Sequence, residues 1–351
     1  MAITKEDLIK IKKYLEESVR PIYFFDDDPD GLSSFLLFYR YKKVGKGIVI
    51  KSSPVLQEIY ASKVNEYYAD TVFVLDKPIT SQEFVDACIP SKVLIIDHHE
   101  PIKLNNAIYF NPRIENNRDN RPVSYWCYMT VKQDLWIAMT GMIGDWFLSK
   151  KLSEKFSKEH PELLPPEIKR PEDALYKTKL GLLSKIFSFI LKGKTTEVMK
   201  AVKILTRIED PNEILNQETP RGKFIYKNYL KVNKEYNALL QQILKKDKKE
   251  KIIVFTYPGK KMSFTGELSN EILYRFPNRI NIIGRIKSGE VKCSIRASKY
   301  NLPEIIKKSL VGIRGYGGGH LHACGASIKE EDFPIFVKRF SENIIDSKKE
   351  S

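Results

Sequence analysis

Cysteine is scarce in this sequence. The 351 residues hold only Cys88, Cys127, Cys293 and Cys324, and none of them stands in a C-x-x-C spacing. That scatter excludes a zinc finger and a disulfide framework, and it predicts reduced, buried thiols. Long apolar runs are missing too. Stretches such as Phe35 to Phe38 fall far short of the roughly 20 residues that a bilayer-spanning helix needs, so no membrane is expected. The opening MAITKEDLIKIKK is charged within five residues and lacks an apolar h-region, so a cytoplasmic protein is expected. Histidine is nearly as rare as cysteine, with five residues. Acids are the minority charge, 44 against 59 lysines and arginines, which leaves a net charge of +15.

What is present describes an ordinary folded protein. Hydrophobic content of 42% with 29% charged residues excludes a disordered chain, and the length suits two domains with a helical insert. The positive excess has two readings, a solvated lysine-rich surface or attraction to a polyanion.

The order of elements is legible from the patterning. Thr4 with Asp7 three residues later predicts a capped helix over 4–17. Short apolar runs then alternate with helix-like segments: Ile22–Phe25, Ile48–Ile50, Val72–Leu75, Val93–Ile96 and Ile108–Phe110. Strands alternating with helices in this way predict an α/β fold with a parallel sheet over residues 1–148. From 149 to 250 lysine-rich helical periodicity replaces strand signals, as in Leu180–Leu191 and Phe224–Leu244, and the charge run Lys245–Lys251 reads as a solvated helix end and hinge. Strands return at Ile252–Tyr257, Ile280–Ile286 and Val291–Ala297, before a glycine cluster and an amphipathic helix near Pro334–Ser341. Residues 251–351 are therefore expected to form a smaller α/β domain.

Acids stand where three apolar strands end. Tyr23-Phe24-Phe25 runs into Asp26-Asp27-Asp28-Pro29-Asp30-Gly31, Val72–Leu75 into Asp76, and Val93–Ile96 into Asp97-His98-His99. The carboxyl ends of parallel strands line the ligand crevice of open α/β sheets, so these carboxylates converge if the strands are neighbours. Crowded buried carboxylates repel one another, and a shared divalent cation removes that penalty. Adjacent histidines add nitrogen ligands that suit a transition metal. Asp145, after the apolar helix Leu135–Met142, is a further candidate ligand. Taken singly, each feature has a plainer explanation: a helix N-cap for Asp76, a Pro-Asp-Gly turn for 26–31, a solvated loop for 97–99. Their joint occurrence in a histidine-poor chain argues against the plain explanations together. The segment Gly315–Gly325 holds Gly317-Gly318-Gly319-His320, where glycines let backbone N–H groups approach an anion and His320 can donate to a phosphate. Its plainer explanation is a flexible glycine-rich turn.

The order of these motifs resembles the DHH phosphoesterase superfamily with a DHHA1-type carboxyl-terminal domain. The matching elements are D-x-D-G (Asp28, Asp30, Gly31), Asp76, the D-H-H signature (Asp97, His98, His99), Asp145 and Gly317–His320, with the helical middle largely unmatched. The resemblance implies two Mn²⁺ ions, or Mg²⁺ in their place, held by Asp28, Asp30, Asp76, Asp97, His98 and Asp145, with Asp76 bridging. It implies that His99 and Asp26 serve in catalysis, and that Arg296, Gly317, Gly318, Gly319 and His320 grip the substrate. A divalent pair suits in-line displacement at a phosphate. Manganese pyrophosphatases and nanoRNases of the superfamily carry histidine four residues before the first metal-binding Asp, where this chain has Phe24. The form found here looks more like RecJ and the archaeal RecJ-like nucleases, although Cys324 stands where the family usually has alanine.

The resemblance thus implies a single-strand-specific exonuclease on DNA or RNA, of the kind used in DNA repair, with single-stranded nucleic acid and a helicase or replication protein as partners. Two alternatives stay open. One is an oligoribonuclease or cyclic-dinucleotide phosphodiesterase. The other is a non-catalytic scaffold like the RecJ-related subunit of the eukaryotic replicative helicase, a class that typically loses metal ligands.

Overall fold

The computed structural model describes residues 3–51, 55–245, 250–259 and 262–346. The chain divides into two compact units, Met1–Tyr229 and Leu230–Ser351. Residues 246–249 of the lysine run lie outside the described residues.

The first unit opens with α1 (Lys5–Glu17), capped by Thr4 and Asp7 in a reciprocal capping box. Next come β1 (Pro21–Asp26), α2 (Pro29–Lys42), β2 (Lys46–Ile50), β3 (Val55–Leu56), α3 (Ala61–Tyr67), β4 (Thr71–Leu75), β5 (Ile79–Thr80), α4 (Gln82–Ala87), β6 (Lys92–Ile96) and β7 (Ala107–Phe110). Five strands form one sheet in the order β2-β1-β4-β6-β7, every pair parallel. Both faces are buried, which is why the strands read as continuous apolar runs and not as alternations. Ile22, Phe24, Val72, Val74, Val93 and Ile95 pack on one face with Phe84 and Val64. On the other, Tyr23 stacks on Phe73 and Phe25 stacks on Phe35 of α2.

Gly31 lets α2 start where it does. A Cβ there would stand 2.7 Å from the backbone nitrogen of Asp26 and 2.8 Å from its carbonyl oxygen, so a side chain would push the helix off the end of β1.

Helices then take over: α5 (Val123–Val131), α6 (Leu135–Gly144), α7 (Lys150–Glu159), α8 (Pro171–Lys177), α9 (Lys179–Ile190), α10 (Thr195–Leu205), α11 (Pro211–Leu215) and α12 (Pro220–Leu244). Among the described residues no strand occurs in this stretch. α9 packs on α6 and α2, with Trp136 edge-on to Phe187.

The second unit has its own mixed sheet, in the order β11-β12-β10-β9-β8. Its elements are β8 (Ile252–Pro258), α13 (Thr265–Arg275), β9 (Ile280–Lys287), β10 (Glu290–Arg296), α14 (Leu302–Ser309), β11 (Gly315–His320), β12 (Ala323–Lys329) and α15 (Phe333–Asp346). β8 and β9 are parallel and the other pairs antiparallel. Ile282, Ile295, Leu302, Ile306, Phe336 and Phe340 form its core. The glycine cluster is not a turn. Gly315–His320 forms an edge strand paired from Gly315↔Ile328 to His320↔Ala323, and the turn is the short connection Leu321-His322.

Candidate metal centre

Sheet register brings the acids together. Phe25 is level with Leu75, and Leu75 with Ile96, on the three adjacent strands β1, β4 and β6. Asp26, Asp76 and Asp97 are the next residues on each, so they leave the sheet side by side. Asp76 does so with φ of 59°, a left-handed conformation uncommon outside glycine and one that clusters at functional sites.

Asp28 is the N-cap of α2 and accepts a hydrogen bond from Gly31 N at 2.9 Å. Asp30 lies in the first turn and is wholly buried. Its two oxygens accept from Val123 N (2.7 Å) and Ser124 N (2.9 Å), the first amides of α5. A carboxylate oxygen has two lone-pair sites, so each keeps one for another partner. Asp145 ends α6 as its C-cap.

His98 stands between these groups, its Nε2 3.3 Å from Asp76 Oδ1 and 3.1 Å from Asp145 Oδ2. Ligand-type atoms of Asp76, His98 and His99 lie within 4.8 Å of one another, as do those of Asp30, His98 and Asp145. Asp97 is tied to its surroundings through both oxygens. Its Oδ1 is 2.8 Å from His99 Nδ1, and its Oδ2 accepts from His99 N, Tyr109 Oη and Asn111 Nδ2. Asp26 holds a partner of its own, Lys77 Nζ at 2.6 Å, from a lysine side chain only 1% exposed.

Burial pushes the carboxyls of Asp28 and Asp76 well above the usual range, and neighbouring carboxylates add to it: Asp145, Asp26 and Asp30 around Asp28, Asp28 and Asp30 around Asp76. Burial and then Asp145 raise Asp30 to about 6. Burial works against the charged form of His98, but its hydrogen bonds to Asp145 and Asp76 outweigh that and drive its pKa up. Without a cation, then, the cluster retains protons. Asp76 Oδ2 and the Nδ1 of His98 are buried and have no hydrogen-bond partner, and Asp76 Oδ1 has only His98 Nε2, 3.3 Å away. A buried carboxylate so poorly supplied with donors, among three other acids and an imidazole, fits a divalent cation.

Sequence reading missed Lys77, Tyr109, Asn111 and the pair Asp119–Arg121. The Arg121 guanidinium lies 4.2 Å from the centre of the Trp126 ring and bonds Asp119. Those bonds outweigh burial and lower the Asp119 carboxyl, with His98 contributing. Asn111 follows β7 as Asp97 follows β6, a strand-end polar residue of the kind already singled out. Arg296, at the end of β10, is anchored by Asn270 Oδ1 (2.7 Å) and the carbonyls of Ile295 and Cys324. His320 is exposed at the end of β11, as are Gly317, Gly318 and Gly319 within it.

Residues 223–346 match the DHHA1 domain family, a range that takes in most of α12 as well as the second sheet. The structure of RecJ with Mn²⁺ from Thermus thermophilus matches with a TM-score of 0.68 at 17% identity, over 97% of this chain and 55% of that one. An exonuclease RecJ bound to manganese matches at 0.62 and 17%, over 95% of this chain and 93% of that one. The pGpG-specific phosphodiesterase PggH from Vibrio cholerae matches at 0.52 and 14%, over 93% and 99%. This chain spans about half the length of the Thermus protein. A comparison with curated protein sequences finds no match.

Proposed function

We propose that this chain, which carries a DHHA1 domain and has the fold of RecJ and the DHH phosphoesterases, is a metal-dependent phosphodiesterase that degrades single-stranded polynucleotide from an end. One observation carries the reading. The Asp76 carboxylate is buried, left-handed at its backbone, and without a hydrogen-bond donor at Oδ2, among acids that repel it. Such a group is held in place at a cost that a cation offsets.

Asp28, Asp30, Asp76, Asp97, His98 and Asp145 would hold two divalent ions, Mn²⁺ or Mg²⁺, with Asp76 shared. The pair, when bound, supplies an activated water at neutral pH and offsets charge on the phosphate. The chain's own residues do the rest. With Nδ1 of His99 engaged by Asp97, Nε2 is the nitrogen left to face the substrate. Asp26, raised by burial and steadied by Lys77, stands beside Asp28 to receive a proton. Arg296 and Gly317, Gly318, Gly319 and His320 would bind the substrate phosphate.

Support for a polynucleotide comes from the D-x-D-G form of the first motif, from Phe24 in place of histidine, and from the charge of +15. The fold match to PggH favours a second reading, a small dinucleotide substrate. The test compares turnover on a single-stranded oligonucleotide of about 20 residues, its duplex, a trinucleotide and a cyclic dinucleotide at two salt concentrations. For a polynucleotide, log K should fall by roughly 0.7 per neutralised phosphate for each log unit of salt. Faster turnover of the small substrates with little salt dependence would sink the exonuclease reading.

A further inference from the structure

Beside the edge of the first sheet lies a cleft of about 750 Å³, bounded by β2 on one side and α10 on the other. Four lysines line it, Lys46, Lys51, Lys63 and Lys203, and among the described residues no carboxylate does. Glu66 holds Lys63 at 2.9 Å and also attracts Lys46, and Asp27 attracts Lys51, so the four lysines outnumber these two acids. Apolar residues also line it, Ile48 and Val49 of β2 and Met199 and Val202 of α10. Two half-buried rings, Tyr39 and Tyr60, also line it.

Lys51, at one end of the cleft, lies near the first strand-end acids. Asp26 is level with Ile50, so Lys51 leaves β2 beside Asp27. The attraction of Asp27 for Lys51 opposes the effect of burial on that lysine. Lys51 also donates to Gly193 O at 2.6 Å, just ahead of α10, whose first residue, Thr195, lines the cleft and whose first turn has no side-chain cap. From Lys46 to Lys51 the strand rises about 16 Å. Positive charge along that length, stacking rings and an apolar lining are the features with which proteins track a single strand without reading its sequence.

We propose that this cleft is a track for single-stranded nucleic acid, which runs along β2 away from the strand-end acids. The inference rests on the polynucleotide reading and adds the route of the strand. An extended acidic peptide would also find the lysines attractive, but it has no use for two half-buried rings.

The experiment uses the full chain in EDTA, so that binding is read without turnover. Labelled single-stranded DNA of about 20 nucleotides is titrated at several salt concentrations against wild type and Lys46→Ala/Lys51→Ala/Lys203→Ala. If each lysine meets one phosphate, the log–log salt slope should be shallower by about 2 in the variant. An oligonucleotide carrying 4-thiothymidine should cross-link to Tyr39 or Tyr60. Lys203→Glu, a single change at an exposed position on α10, keeps the measurement readable if the triple variant misfolds. An unchanged slope, or cross-links only outside the cleft, overturns the proposal, as does an acidic peptide that binds wild type but not the variant while the DNA slope stays the same. Absence of polynucleotide hydrolysis with an altered slope and cleft cross-links would remove the exonuclease reading and leave the track standing. Hydrolysis with an unchanged slope would do the reverse.

Discussion

Lys77 Nζ lies 2.6 Å from Asp26 Oδ1, so the residue after one strand-end acid neutralises the acid that ends the neighbouring strand. Lys77 places a basic side chain among the acids and histidines of the cluster. A buried pair contributes little over an apolar pair, but removing one partner strands the other. Lys77→Met should therefore lower stability by about 3 kcal/mol in urea unfolding. Adding Asp26→Asn to it should recover most of that loss. A double variant no more stable than the single one would show that the two groups do not act as a pair.

The metal assignment predicts that Asp97→Ala and His98→Ala each abolish hydrolysis without unfolding the chain. Asp97 fixes His99 through both its ring nitrogen and its amide, and His98 touches Asp76 and Asp145. Loss of a positioning partner alone costs about 10–100-fold at metal sites, and loss of a ligand should cost more. Circular dichroism confirms folding, and turnover is measured with and without Mn²⁺ after EDTA treatment. Retained activity in both variants, or full activity in the metal-stripped protein, would falsify the assignment.

The strand ends were legible because burial on both faces forces apolar runs, and a run that stops at an acid is conspicuous. Convergence was not legible, since it depends on β1, β4 and β6 being adjacent in the sheet, an order fixed by crossovers and not by any one strand's residues. Asp30 illustrates the same limit. D-x-D-G marked it, but nothing local shows that its carboxylate takes the amides of Val123 and Ser124, which lie more than 90 positions away. Lys77 was missed because a lysine after a strand normally faces water. The strand Gly315–His320 was not legible because consecutive glycines signal a turn, whereas here their missing side chains let β11 lie close on β12: a Cβ on Gly317 would come 2.9 Å from that of Ala326.

Arg296 and His320 should separate substrate handling from metal binding. His320 is exposed, so His320→Ala should leave stability within about 0.5 kcal/mol of wild type. Arg296 is anchored within its own unit by Asn270 and the carbonyls of Ile295 and Cys324, and Arg296→Ala should cost about 1–2 kcal/mol. Both should raise KM and leave Mn²⁺ affinity unchanged by calorimetric titration. An equal loss of Mn²⁺ affinity would place them among the ligands and contradict this division.

Asp76→Asn should stabilise the metal-free protein and destroy its activity. Burial raises the carboxyls of Asp28 and Asp76, and takes Asp30 to about 6. An acid whose folded pKa exceeds its unfolded value contributes stability that is complete below the unfolded value, near 4, and is lost as pH rises through the folded one. For His98, burial is outweighed by Asp145 and Asp76, and its raised pKa acts in the same direction, fading as pH climbs past the usual histidine range. The metal-free chain should therefore weaken between about pH 4 and pH 8, by on the order of 1–3 kcal/mol through Asp30 alone. Mn²⁺ should offset this, and more strongly at pH 8 than at pH 6, by about 2.7 kcal/mol at a hundredfold excess over Kd. Asparagine tolerates the left-handed backbone of position 76 and carries no charge to bury, so the variant should melt higher than wild type without metal and gain little from Mn²⁺. Thermal melts of both proteins at the two pH values, with and without Mn²⁺, provide the check. A wild-type melting temperature that ignores both pH and Mn²⁺ would mean that these acids do not form a metal centre.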